Sequence, residues 1–292
     1  MIEVLGHERQ RELLSRLSAQ TLLFTGPEGV GRRTVARWYA WGLNCAQGFP
    51  PCGRCASCRL DPHPDYREIA PQEETQGGRR ARQEQIRLEQ LVPQGEESLE
   101  EWLSVHPRFR VRVAVIDGAH LLSEPAANAL LKLLEEPPPT ARLILIAPAR
   151  ELLLPTLASR ALELSFGPLP EALLAGRGPV AWAQGSLGRL VWLQAHPEEL
   201  SQFEADLEAV AKGLKGRWDD LFLALQHLLS AYREAPLDPL MALAHRLERE
   251  LPEGRWARLL MVLLEVQEAF QAYGSEELLV SYLALSLRGL VG

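Results

Sequence analysis

Apolar and polar positions follow two different rhythms along the chain, and the change of rhythm divides it. In the first part, three short runs are apolar at nearly every position: TLLFTG at 21–26, RVAVID at 112–117 and RLILIA at 142–147. A strand with one wet face alternates. Continuous hydrophobicity requires cover on both faces, as in a parallel sheet flanked by helices. Helical patterns separate these runs, so an α/β domain is predicted over residues 1–166. After GPLP at 167–170 the strand-like runs stop. The rest reads as amphipathic helices broken by Pro and Gly, among them WDDLFLALQHLLSAY and RWARLLMVLLEVQEAF. A small helical segment is expected over 167–203 and an all-α region over 204–292. Within the first part, SEPAANALLKLLEEPPP predicts a helix with Ser123 as its N-cap, Pro125 in its first turn and Pro137 to Pro139 as its stop. Leu130, Leu131 and Leu134 are its expected apolar face.

Composition changes this picture little. At 292 residues, 47% hydrophobic and 24% charged, the chain is an ordinary globular mixture long enough for two or three cores. Its start, MIEVLGHERQRELL, has charges where a signal peptide needs an apolar run, and no apolar stretch approaches the roughly 20 residues that span a bilayer. A cytoplasmic protein without membrane contact is expected. The net charge of -7 argues against a general electrostatic grip on nucleic acid, while leaving local basic faces open.

The first apolar run leads into FTGPEGVGRRT at 24–34, which nearly spells a phosphate-binding loop. Such a loop cradles phosphates with backbone N–H groups, reaches the β and γ phosphates with a Lys, and holds Mg²⁺ with a following Ser or Thr hydroxyl. Gly26, Gly29 and Gly31 keep the glycine framework, but Arg32 stands at the Lys position and Arg33 at the hydroxyl position. A guanidinium has no lone pair to offer a metal and repels it. Thr34 comes one residue late, and one helical step turns a side chain by about 100° away from the metal position. Two readings stay open on glycine spacing alone: an ordinary strand-turn-helix junction, or a vestigial nucleotide site. The second run, VAVIDGAHLL, resembles the strand whose final Asp, here Asp117, holds Mg²⁺ through water, with Gly118 where a water-activating carboxylate belongs. Two separate losses of catalytic groups predict a module that does not hydrolyse ATP.

All four cysteines lie in CAQGFPPCGRCASC, at Cys45, Cys52, Cys55 and Cys58. Two overlapping CxxC pairs with a fourth Cys seven residues upstream suit a tetrahedral structural zinc site. Crowding and a reducing compartment disfavour disulfides, and four thiolates leave no open position for catalysis.

The string SEPAANALLKLLEEPPPTARLILIA, with ELLLPTLASR after it and HPDYREI and EQIRLEQL before it, resembles the bacterial clamp-loader branch of the AAA+ proteins. The resemblance covers about the first 200 residues and implies a RecA-like domain, a helical lid over 167–203 and a collar that oligomerises over 204–292. Active members of that branch sense the γ-phosphate with a Ser or Thr after the third core strand, where Ala147 and Pro148 stand here. They also carry a lid Arg in a GSxR pattern. In QGSLGRL that position is Gly188, with Arg189 one place late. No productively bound ATP is therefore expected. By contrast, LASRA keeps Ser159 and Arg160 at the family's SRC motif, whose Arg reaches into the ATP site of the adjacent subunit; Ala161 replaces its Cys. The implied partners are the gamma/tau ATPase subunits and the delta subunit of a clamp loader, and indirectly a sliding clamp and primer-template DNA. Two other readings remain: an ATPase in which Arg32 substitutes for the Lys, and a zinc-containing DNA-binding protein.

Overall fold

The first strand, β1 (Thr21–Thr25), lies inside a five-stranded parallel sheet ordered β2–β5–β6–β1–β7, with β2 at Tyr66–Ile69, β5 at Arg112–Asp117, β6 at Ala141–Ala147 and β7 at Leu162–Ser165. The sheet belongs to a computed structural model, which describes residues 2–74, 80–93, 95, 97–232, 237–248, 251, 254–271 and 275–291. A short antiparallel pair, β3 (Gln72–Glu74) and β4 (Arg80–Gln85), stands apart.

Side chains of successive strand residues enter two different cores, which explains the unbroken apolar runs. On one face Leu22, Phe24, Val113, Val115, Ile144 and Ile146 meet Leu14 of α1 (Glu8–Arg16) and Val35, Trp38 and Tyr39 of α2 (Arg32–Asn44). On the other, Leu23, Ala114, Ile116, Leu143 and Leu145 meet Leu91 of α3 (Leu88–Leu91), Leu103 of α4 (Leu99–Ser104), α5 (Glu124–Glu135) and Leu157 of α6 (Pro155–Ala158). Helix α5 buries Ala126, Ala127, Leu130, Leu133 and Leu134. That corrects the expected face by one residue, because Leu133 is buried where Leu131 was expected and Leu131 is half-buried. Ser123 takes the N-cap position, but its hydroxyl makes no capping hydrogen bond.

The chain separates into two compact units, one of residues 1–175 with 184–188 and one of 176–183 with 189–292. The expected lid segment therefore contributes to both, from α7 (Glu171–Leu174) through α8 (Val180–Ala183) to α9 (Leu187–Ala195). The expected division at 203/204 falls within α10 (Pro197–Lys215), a continuous helix. In the second unit α10, α11 (Trp218–Ala231), α12 (Pro239–Leu247), α13 (Trp256–Gln271) and α14 (Glu276–Val291) enclose one core that includes Phe203, Leu225, Leu243, Val266 and Leu283, with Trp182 and Trp192 packed against it. The buried Asp206 carboxylate there accepts hydrogen bonds from Tyr232 Oη at 2.9 Å and Gln202 Nε2 at 2.9 Å.

Candidate functional site

The glycine loop joins β1 to α2 as its sequence requires. Gly26, Gly29 and Gly31 have φ of 138°, 71° and 105°, a region that L side chains rarely adopt. Steric need goes beyond conformation at two of them. A Cβ on Gly26 would lie 2.0 Å from the Phe166 carbonyl oxygen, and one on Gly29 would lie 2.2 Å from Ser186 Oγ. The Gly26 N–H donates to the Pro148 carbonyl at 2.9 Å, and the Gly188 N–H donates to the Gly29 carbonyl at 2.9 Å. His7 Nε2 lies 2.8 Å from the Val30 carbonyl oxygen. The loop is thus held from three sides by its own chain. The expected outcome of Gly26→Ala is a loss of about 2–4 kcal/mol, or roughly 5–10 °C in melting temperature, with no nucleotide present. Thermal unfolding followed by circular dichroism checks this, and an unchanged melting point would refute it.

The two arginines of the loop go different ways. Arg32, only 8% exposed, donates from Nη1 to the Ala147 carbonyl at the end of β6. Burial draws its guanidinium below the ordinary arginine range, against support from Asp117 and Glu28. Arg33 forms an ion pair with Glu68 of β2, whose other carboxylate oxygen accepts from Tyr66 Oη at 2.7 Å. Arg33 and Thr34 line a cavity of about 640 Å³ beside the cysteine segment, together with Arg37 and Trp41. Asp117 ends β5, and burial raises its carboxyl above the usual range while Arg33 opposes the rise. Gly118 follows with φ 82°, and a Cβ there would come within 3.0 Å of Pro71 Cγ. A carboxylate side chain at 118 would need both the backbone and Pro71 to shift.

Ser159 and Arg160 follow α6, which Pro155 starts. Ser159 Oγ donates to the Thr156 carbonyl at 3.2 Å. Arg160 donates to the same carbonyl at 2.8 Å and to Glu135 Oε1 at 2.5 Å. Its side chain is one-third exposed and that of Glu135 about half exposed. The guanidinium lies at the surface, and its partners among the described residues are the Thr156 carbonyl and the exposed Glu135.

The sequence joins the cysteines and the structure brings them together: their four Sγ atoms all lie within 4.8 Å of one another, and all four are free thiols. Four thiolates on zinc at about 2.3 Å place their sulfurs about 3.8 Å apart, so the cluster fits that ion. The backbone is arranged for sulfur as well. Cys52 N donates to Cys45 Sγ at 3.4 Å, Cys55 N to Cys52 Sγ at 3.4 Å and Cys58 N to Cys55 Sγ at 3.5 Å. N–H groups from Ala46 and Cys58 pull the Cys55 thiol down to about 6, whereas burial pushes Cys58 up to about 12. Zinc held by Cys45, Cys52, Cys55 and Cys58 would cross-link the segment and leave no position for substrate.

Sequence reasoning missed the residues that fasten this segment. His63 Nδ1 accepts the Asp65 N–H at 3.1 Å, so Nε2 carries the proton and donates to Ser57 Oγ at 2.9 Å. Asp65 and Asn44, 0% and 3% exposed, grip the loop before β5. The polar run HPD just before a strand was the available signal.

With this geometry in place, the comparisons with known proteins are decisive for the first unit. Residues 7–170 match the family described as DNA polymerase III, delta subunit. The chain belongs to that family. Among relatives of the DNA polymerase III delta-subunit family, it is similar to the delta' subunit of Pseudomonas aeruginosa, 31% identical over 202 residues that cover 67% of this chain and 53% of that protein. The delta' subunit of Haemophilus influenzae is 34% identical over 149 residues, 49% of this chain and 41% of the relative. The tau/gamma subunit of the same organism is 33% identical over 155 residues, 52% of this chain but 21% of that longer protein. The chain thus spans from about a fifth to about half the length of these relatives.

Proposed function

We propose that this chain is a delta-prime-type subunit of a bacterial DNA polymerase III clamp loader. It is a catalytically silent, cytoplasmic AAA+ subunit that joins gamma/tau-type ATPases and a delta subunit in a ring. There it supplies Arg160 to a neighbour's ATP site and helps load the sliding clamp at primer-template DNA. The observation that carries this reading is an asymmetry. Residues that would serve the chain's own nucleotide are absent or engaged internally, while the arginine that would serve another chain stands at the surface. Ser159, beside it, holds the turn that presents it. The helices after α10 are the collar of this reading, and the cysteine segment holds a structural zinc. Among the described residues, no helix is long and apolar enough to cross a membrane.

The competing ATPase reading needs Arg32 to replace the missing Lys. Its engagement with the Ala147 carbonyl and the contact of Gly188 on Gly29 weigh against that. The expected outcome is that the purified chain shows no Mg²⁺-dependent ATP turnover and that Arg32→Lys does not create any, because Gly118 still lacks a carboxylate. A phosphate-release assay decides it; turnover that co-purifies with the chain through every step refutes the silent reading. The assignment itself is tested by co-purification with clamp-loader ATPase subunits. A chain with no affinity for any of them is not such a subunit.

A further inference from the structure

We propose that His63 is a positioning residue of the cysteine site: through Ser57 it ties the Cys55–Cys58 turn to the loop at 108–111, so that zinc binding and the order of that loop are one equilibrium. The inference rests on the reading of the four cysteines as a zinc site, not on the place of the chain in a clamp loader. A series of buried hydrogen bonds makes the connection. Ser57 stands between Cys55 and Cys58, in a turn where Arg59 N donates to the Cys55 carbonyl at 3.2 Å and Leu60 N to the Ser57 carbonyl at 3.1 Å. Ser57 is 2% exposed, and its Oγ accepts from His63 Nε2 at 2.9 Å. His63, 3% exposed, packs against Trp41 of α2 and Phe109, with ring centroids 5.0 Å and 5.3 Å away. Its Nδ1 accepts the Asp65 N–H at 3.1 Å. Both ring nitrogens are therefore engaged, and His63 offers no lone pair to a metal. The Asp65 carboxylate in turn accepts the N–H groups of Arg108 and Phe109, each at 2.8 Å.

A second tie starts from the other end of the site. Asn44 precedes Cys45, and its Oδ1 accepts the N–H groups of Arg110 and Val111, each at 3.0 Å, while Nδ2 donates to the Val111 carbonyl at 3.0 Å. Two buried side chains thus fix four consecutive amides of one loop, and each is joined to a backbone segment that carries cysteine ligands. Parting Ser57 from His63 would leave a buried N–H without an acceptor, so the turn and the loop gain or lose order together. By linkage, the order that the loop gains when zinc binds equals the affinity that the site gains from an ordered loop. Groups that orient metal ligands are worth about 10- to 100-fold in metal affinity.

The test compares the whole chain loaded with zinc and stripped of it, under reducing conditions, by amide hydrogen exchange read by NMR. In the wild type, zinc removal is expected to speed exchange at 108–111 by about tenfold or more, while the amides of 114–116 in β5 keep their protection. Zinc affinity is measured by competition with a chromophoric chelator. Ser57→Ala should weaken it by about 10- to 100-fold and cut the response of 108 and 109 to zinc by a similar factor, leaving 110 and 111 responsive through Asn44. His63→Asn keeps an acceptor for the N–H two residues on, as Asn does in turns, but is too short to reach Ser57; it should match Ser57→Ala. The double variant should bind zinc no worse than either single one, since both remove the same bond. Zinc affinity within about twofold of wild type in both single variants overturns the proposal, and a lowered melting temperature beside it would leave His63 a purely structural residue. Exchange at 108 and 109 that ignores zinc removal in the wild type overturns it without recourse to any variant. A wild-type chain that binds no zinc overturns the metal reading and this inference with it, whereas bound zinc with unmoved variants defeats this inference alone.

Discussion

In a reconstituted clamp-loader assembly, Arg160→Ala is expected to slow hydrolysis at the ATP site it serves by about three orders of magnitude, and clamp loading with it, while the isolated subunit keeps its fold. An arginine supplied in trans steadies charge that develops on the transferring phosphoryl group, and its loss is worth about 10³ to 10⁵ in rate, or roughly 4–7 kcal/mol. Folding should hardly notice. The Arg160–Glu135 pair lies at the surface, with side chains 33% and 52% exposed, where such pairs are worth about 0–1 kcal/mol. The same weakness would let the guanidinium leave Glu135 for a stronger anion on another chain, as the proposal requires. Melting temperature, assembly by size-exclusion chromatography and single-turnover hydrolysis separate these effects. Normal assembly with wild-type hydrolysis at subsaturating ATP would reduce Arg160 to a surface residue.

Removing the metal is the second large perturbation. One zinc per chain is expected, and Cys55→Ser should take the content well below one equivalent, since a tetrahedral thiolate site tolerates no missing ligand without losing most of its affinity. Cys45 is buried at the end of α2, so loss of the cross-link should loosen that end and the segment through Cys58. The sheet should survive, because one of its two cores contains none of the segment and only Phe49 and Cys58 pack against the other. Acid should mimic the mutation. Protons compete with the metal for all four thiolates, so zinc release to a chromophoric chelator should rise as pH is lowered from about 7 towards about 5. Freshly reduced protein with no bound metal, or release that is flat through this range, contradicts the site.

The central strands were legible because burial on both faces leaves an unbroken apolar run. Their neighbours were not. Strand β2 reads YREI and β7 reads LELS; the first is mostly half-buried and the second exposes Leu162, Glu163 and Ser165, so neither carries the continuous signal of β1, β5 and β6. The helix α5 was placed correctly at both ends by its prolines, yet its buried face was misjudged by one leucine, since four leucines within five residues leave the periodicity nearly flat. The cysteines announced themselves by spacing. Asp65 and Asn44 did not, because a polar residue in a strand-entry or helix-end segment looks exposed until the loop it holds is in place.

The contact between Gly29 and Gly188 bears on how reversible the loss of a nucleotide site can be. On the proposed reading, a lineage could not recover an ATPase here by restoring a lysine alone. A side chain added at 188 would press on Gly29 across that contact, and a carboxylate at 118 would meet Pro71. On that reading, packing opposes two of the steps back toward nucleotide chemistry, a side chain at 188 and a carboxylate at 118. If the chain is silent as proposed, the arrangement would work as a ratchet: neighbouring subunits could come to depend on a partner that no single substitution easily sets cycling again.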